Sequence, residues 1–248
     1  MKLFRWEPSK EIMTPLMVGF VVILLSAAML PFHGNSWLRI IIHDIGMVCL
    51  AGILFPLLYI QRSGHNYDEY GLTFRKWYIF MPINFILGVL LLLVFIHFIP
   101  PDGFRFDIKT LMKMAVILNT GIFEAVFFYG FQRSVFERAF GVVPAIILAG
   151  LFYSFHHIGF QPEFITLFFI GVMYAAVYRA GNSVLLIYPF FWGVGALYNV
   201  LIQSRKVSAI MHPEIRSLYL SLLVVLILTW AWIKSRRPPK ENNKQKLL

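Results

Sequence analysis

The feature that most constrains this chain is a series of apolar runs, each about as long as a lipid bilayer is thick. A helix crossing the hydrocarbon core needs about 20 mostly apolar residues at ~1.5 Å rise each. Eight runs meet that requirement or come near it: roughly Thr14–Leu30, Ile40–Tyr59, Tyr78–Phe98, Leu111–Phe131, Val142–His157, Phe164–Tyr178, Val184–Ile202 and Leu218–Ile233. Turn-forming stretches separate them, among them Pro100-Pro101-Asp102-Gly103, Gln161-Pro162 and Asn182-Ser183. The pattern predicts an all-α integral membrane protein, a bundle of about eight transmembrane helices. Hydrophobic residues make up 59% of the chain and charged residues 14%, against roughly 25% charged in soluble domains. A soluble enzyme, a disordered chain and a collagen-like chain are thereby excluded.

Residues 1–233 read as a single multi-span membrane domain and 234–248 as a basic cytoplasmic tail. The formal net charge of +10 invites a nucleic-acid reading, but Lys and Arg gather at the ends and in short connections, where they face anionic lipid. No nucleic-acid partner is expected. With both termini cytoplasmic, the inner segments hold 15 of the 22 lysines and arginines, as the positive-inside rule requires. A multi-pass protein of the cell membrane follows. The first span lacks a small-residue cleavage site and reads as retained. Cys49 is the only cysteine, which excludes an intramolecular disulfide and a cysteine metal cluster.

Ionisable groups inside spans are the informative residues, because each costs at least ~2.5 kcal/mol at the bilayer centre unless compensated. Glu124 lies mid-span in Ile122-Phe123-Glu124-Ala125 and is expected to point into the bundle. His156 and His157 close the fifth run. Adjacent helical residues point about 100° apart, so at most one of the two imidazoles is expected to face the same site as Glu124. Asn199 follows Gly193, Gly195 and Ala196, small residues that admit a neighbouring helix. His43, Asp44 and His97 sit near span ends and read as interfacial. A carboxylate, an imidazole and a carboxamide on three helices can form a hydrolytic site, with Glu as general base and Asn as oxyanion donor. Zinc needs three protein ligands, which Glu124 and both histidines supply only awkwardly, so neither metal nor cofactor is expected. Counted from the helix ends, Glu124 and His157 differ in depth by roughly 10 Å.

The stretch Glu124-Ala125-Val126-Phe127-Phe128-Tyr129-Gly130-Phe131 resembles the first motif, Glu-Glu-x-x-x-Arg, of the CPBP family of intramembrane proteases. This is the family of the type II CAAX prenyl endopeptidases and bacteriocin-processing proteins. Its second motif, Phe-x-x-x-His, resembles Phe152-x-x-x-His156 or, in the other register, Tyr153-x-x-x-His157. Its third, His-x-x-x-Asn/Asp, falls on Gly195-x-x-x-Asn199. The similar region runs from about 70 to 201. The resemblance implies that Glu124 activates water, with His157 or His156 and Asn199 supporting it. Three positions depart from the pattern: Ala125 for the second Glu, Tyr129 for the Arg and Gly195 for the last His. Tyr129 can supply a hydroxyl hydrogen bond but not the fixed charge of Arg.

Two functions follow. One is an intramembrane, glutamate-dependent endopeptidase with a reduced site, cleaving a peptide or a membrane-protein tail. The other is a catalytically inactive relative acting as a membrane partner-binding, scaffold or immunity protein. Membrane lipid surrounds the chain in either case.

Overall fold

A computed structural model describes residues 2–32, 36–98, 107–159, 163–181, 183–184, 187, 196 and 210–235. The described residues contain no strand. Among the described residues, six helices are long and apolar enough to cross a membrane: α1 (Lys10–Phe32), α2 (Ser36–Ser63), α3 (Trp77–Phe98), α4 (Ile108–Phe140), α5 (Val142–Gly159) and α6 (Phe164–Gly181). A further helix, α7 (Pro213–Ser235), contains the run read as Leu218–Ile233. The run at Val184–Ile202 lies, apart from residues 184, 187 and 196, outside the described residues. The chain is an all-helical membrane bundle.

The largest departure from the sequence reading is at α4. The sequence places its end at Phe131, before the polar Gln132-Arg133-Ser134, yet the helix continues for nine residues to Phe140. The charge of Arg133 is satisfied inside the protein. Arg133 Nε donates to the Tyr129 carbonyl at 2.7 Å, and its guanidinium pairs with Glu137. Arg179 of α6 meets the same Glu137 at 2.8 Å. A charged group that carries its own counter-charge does not need to end a helix. At the other end of α4, Asp107 caps the helix, its side chain accepting from the Thr110 amide at 2.7 Å. That hydrogen bond holds the exposed Asp107 carboxyl below its ordinary range. The capping contribution is therefore present at neutral pH and is lost as the pH falls through the lowered value.

Ahead of α1, the segment Lys2–Glu7 is strapped to the α4–α5 junction. Arg5 N donates to Phe140 O at 2.9 Å, Glu7 N to Ala139 O at 2.8 Å, and Val143 N to Leu3 O at 3.1 Å. Gly141 makes this turn at φ 90°, and a side chain there would run into the strap's backbone. The C-terminal part of α7 reaches the same end of the bundle, where Trp230 packs on Tyr67 at 4.5 Å. Both ends of the described chain therefore lie together.

Helices α5 and α6 meet through Gly150 and Gly171. A Cβ on Gly171 would stand 2.9 Å from Gly150 Cα and 2.7 Å from the Tyr153 ring. Small residues allow this approach of two helix backbones, as is usual in membranes. Gly171→Leu is expected to cost about 1–3 kcal/mol, read as a lower unfolding temperature in detergent. An unchanged temperature would show that the two helices do not meet here.

Polar contacts join α7 to α4 and α2. Asn119 of α4 donates to Ser221 at 2.8 Å. Asp44 of α2 accepts both Arg216 Nε and Nη2 at 2.8 Å, together with the Tyr219 hydroxyl. Asp44 is fully buried. Its position in an apolar run is tolerated because the fork of Arg216 matches both carboxylate oxygens.

Candidate active site

Glu124 occupies α4 just before the segment Ala125–Gln132, where the helix widens into π-type turns. Such widening recurs at functional sites because it re-aims side chains without breaking the helix. The carboxylate faces the end of α5. Glu124 Oε1 is 3.3 Å from His156 Nε2 and 3.8 Å from His157 Nε2. The Glu124 side chain is 13% exposed, and those of the two histidines 0% and 6%, so the cluster is internal while the carboxylate remains reachable.

Both imidazoles reach the carboxylate, contrary to the expectation that only one faces it. The cause lies in the helix end. α-Helical geometry stops at His156, and His157 opens a tight 3₁₀ turn. One carbonyl then gathers both rings: His156 Nδ1 donates to Tyr153 O at 2.5 Å, and His157 Nδ1 to the same oxygen at 2.8 Å. A carbonyl oxygen has two lone pairs, so it can accept both. With Nδ1 carrying the hydrogen, each neutral ring presents an Nε2 lone pair on the side of Glu124.

The depth arithmetic is corrected by the length of α4. Counted from Phe140 and not from Arg133, Glu124 lies sixteen residues in, about 24 Å. That is close to the depth of His157 in α5, and the expected offset of roughly 10 Å disappears. The ligand atoms of Glu124 and the two histidines all lie within 4.8 Å of one another.

Beneath the cluster lies a layer of tyrosines. Tyr129 is fully buried and stacks on Tyr178 at 4.9 Å, with Tyr153 at 5.8 Å and Tyr174 at 6.1 Å. Its hydroxyl has no hydrogen-bond partner among the described residues. Arg133, one turn further on, does not replace the Arg absent at 129, because its guanidinium is held by Glu137. Asn199, Gly193 and Gly195 lie outside the described residues.

One polar unit near the site escaped the sequence reading. His43 Nδ1 bonds Asp44 Oδ1 at 2.5 Å. A carboxylate eight residues into a span signals a buried partner. The sequence did not reveal that the partner is Arg216, 172 residues away.

These elements define a membrane-embedded helical bundle with a carboxylate and two imidazoles at its interior. Comparison with known families points the same way. A family model described as "Type II CAAX prenyl endopeptidase Rce1-like" matches residues 107–193. The matched stretch includes Glu124, Tyr129, His156 and His157 and is shorter than the region of motif resemblance. Over it the chain is CAAX-protease-like. No curated protein and no solved structure matches the chain.

Proposed function

We propose that this protein is an intramembrane endopeptidase in which Glu124 activates water against a peptide bond. The observation that carries the reading is the approach of Glu124 Oε1 to two imidazoles whose outer nitrogens are fixed by a single carbonyl. A water between them can donate one hydrogen to an imidazole Nε2 and lose the other to the carboxylate. The hydroxide then attacks the carbonyl carbon, and Glu124 returns its proton to the leaving amine as the carbon–nitrogen bond breaks. Oxyanion donors on this reading are the Tyr129 hydroxyl, and Asn199 by its place in the family pattern. The substrate is a peptide or the tail of a membrane protein entering from the lipid. The family description adds prenylated C-terminal peptides to the classes worth testing. The basic-residue pattern supports a cell-membrane location with both termini cytoplasmic.

The test is incubation of the wild-type chain, in liposomes, with plain and prenylated peptides, reading new termini by mass spectrometry. Discrete cleavage sites are expected. The diversion of Arg133 to Glu137 favours the partner-binding alternative, since its guanidinium is held away from Glu124. Tight peptide binding without cleavage would establish that alternative.

Tyr129→Phe separates the two readings further. Its hydroxyl is buried without a partner among the described residues, so deleting it costs the fold nothing and is worth up to about 1 kcal/mol in stability. If the hydroxyl serves the reaction, kcat/KM falls about 100-fold, as for loss of one oxyanion donor. A lower melting temperature with unchanged cleavage would contradict this role.

A further inference from the structure

We infer that the cavity at the strapped end of the bundle binds the phosphate headgroup of one anionic phospholipid. The cavity holds about 610 Å³, a size that suits a small ligand. Five cations line it: Lys2 and Arg5 of the N-terminal strap, Arg133 and Arg138 of α4, and Arg179 of α6. Lys2 and Arg5 are exposed and Arg133 is only 3% exposed, so the cavity runs from the surface into the protein. It lies apart from the hydrolytic site. Arg133 is nine residues beyond Glu124 along α4, about 14 Å, and Arg138 is fourteen, about 21 Å. The site therefore stands whether or not Glu124 hydrolyses a peptide.

The charges are the first support. Glu7 holds Arg5, and Glu137 is shared by Arg133 and Arg179. The other two lining carboxylates turn away: Asp68 meets Arg75 at 3.0 Å and Glu69 meets His65 at 3.0 Å, and neither partner lines the cavity. Among the described residues, none of these four carboxylates is paired with Lys2 or Arg138. Arg138 instead donates Nη2 to the Tyr70 hydroxyl at 2.9 Å and meets Glu11 at 3.5 Å. Its Nε is buried with no hydrogen-bond partner among the described residues. A buried donor left in that state is costly. Phosphate oxygens, which accept charge-assisted hydrogen bonds from several guanidinium groups at once, supply the missing acceptor.

Depth and the outer face of the strap select a lipid over a dissolved anion. Glu124 is the middle residue of α4 (Ile108–Phe140). Half a bilayer is about 15 Å of hydrocarbon, or about 20–22 Å with its headgroups. Arg133 therefore stands near the hydrocarbon edge and Arg138 at the level of the headgroups. Beside Lys2 and Arg5, the strap exposes Leu3, Phe4 and Trp6, the aromatic and apolar side chains suited to the membrane interface. Cations in the cavity and apolar side chains next to it match a ligand with an anionic head and acyl tails. Basic pockets between membrane helices on the cytoplasmic side take such headgroups, and the basic-residue pattern assigns this end to that side.

The experiment uses the full chain in detergent, titrated with dioleoyl phosphatidylglycerol or dioleoyl phosphatidylcholine and read by native mass spectrometry. One phosphatidylglycerol per chain is expected, bound about 10-fold more tightly than phosphatidylcholine. The double variant Lys2→Ala, Arg5→Ala keeps the strap's backbone hydrogen bonds and should weaken this binding about 30-fold, roughly 5-fold for each basic residue. Arg138→Gln should weaken it about 5-fold from the inner wall. Lys109→Ala with Lys113→Ala, at the opposite end of α4, should bind as wild type. Equal binding of the two lipids overturns the proposal, as does wild-type affinity in either cavity variant. Retention of phosphatidylglycerol in millimolar inorganic phosphate supports a lipid site. Its displacement by that phosphate overturns the lipid assignment in favour of a free anion.

Discussion

Glu124→Gln should lower kcat/KM for peptide cleavage by about 10²–10⁴, the range that a positioned general base contributes. The substitution is close to isosteric and keeps an oxygen toward His156 and His157, so packing around Phe123 and Phe128, which touch the His156 ring, is preserved. What it removes is a group able to take a proton from water. The unfolding temperature should stay within a few degrees of wild type, since a buried carboxylate replaced by an amide loses little that the fold depends on. A matched loss of stability and activity would mean that Glu124 is structural. Unchanged activity would move the chemistry elsewhere.

A comparably large effect, on stability, is expected from Asp44→Ala. Asp44 is fully buried and holds both nitrogens of Arg216, itself only 8% exposed. Removing the carboxylate strands a guanidinium in the interior and deprives Tyr219 and His43 of their acceptor. Breaking a buried pair from one side costs about 3–5 kcal/mol, so thermal unfolding in detergent should begin about 10 °C lower. The double variant Asp44→Leu, Arg216→Met removes both charges and should recover most of the loss, because an apolar pair of similar volume is often as stable as the ion pair it replaces. If Asp44→Ala melts with the wild type, α2 and α7 are not joined by this contact.

These two residues show where the sequence was informative and where it was not. Apolar runs locate helices well because the bilayer sets a length and the backbone has no water to bond. The runs at Tyr78–Phe98 and Phe164–Tyr178 lie within a few residues of α3 and α6. The end of α4 was hidden because Arg133 carries a charge that normally marks an interface. The pairing with Glu137 and Arg179 that keeps it inside depends on a second helix. Glu124 stands out from composition alone, since an ionised group in mid-span needs a reason. The joint approach of His156 and His157 was not visible, because an ideal helix turns them apart and only the tight turn after His156 brings both Nδ1 atoms to Tyr153 O. The burial of Asp44 was not visible for a related reason: depth from a helix end measures distance along an axis, whereas burial depends on the neighbour, and here the neighbour begins at Pro213.

The most direct measurement of the central claim is peptide cleavage by the liposome-reconstituted chain in ¹⁸O-labelled water. Hydrolysis at the Glu124 site predicts one ¹⁸O in each newly formed carboxyl terminus with wild type, and no such product above background with Glu124→Gln. Folded wild type that yields no labelled product from any peptide class, or equal labelling by the two proteins, would contradict it.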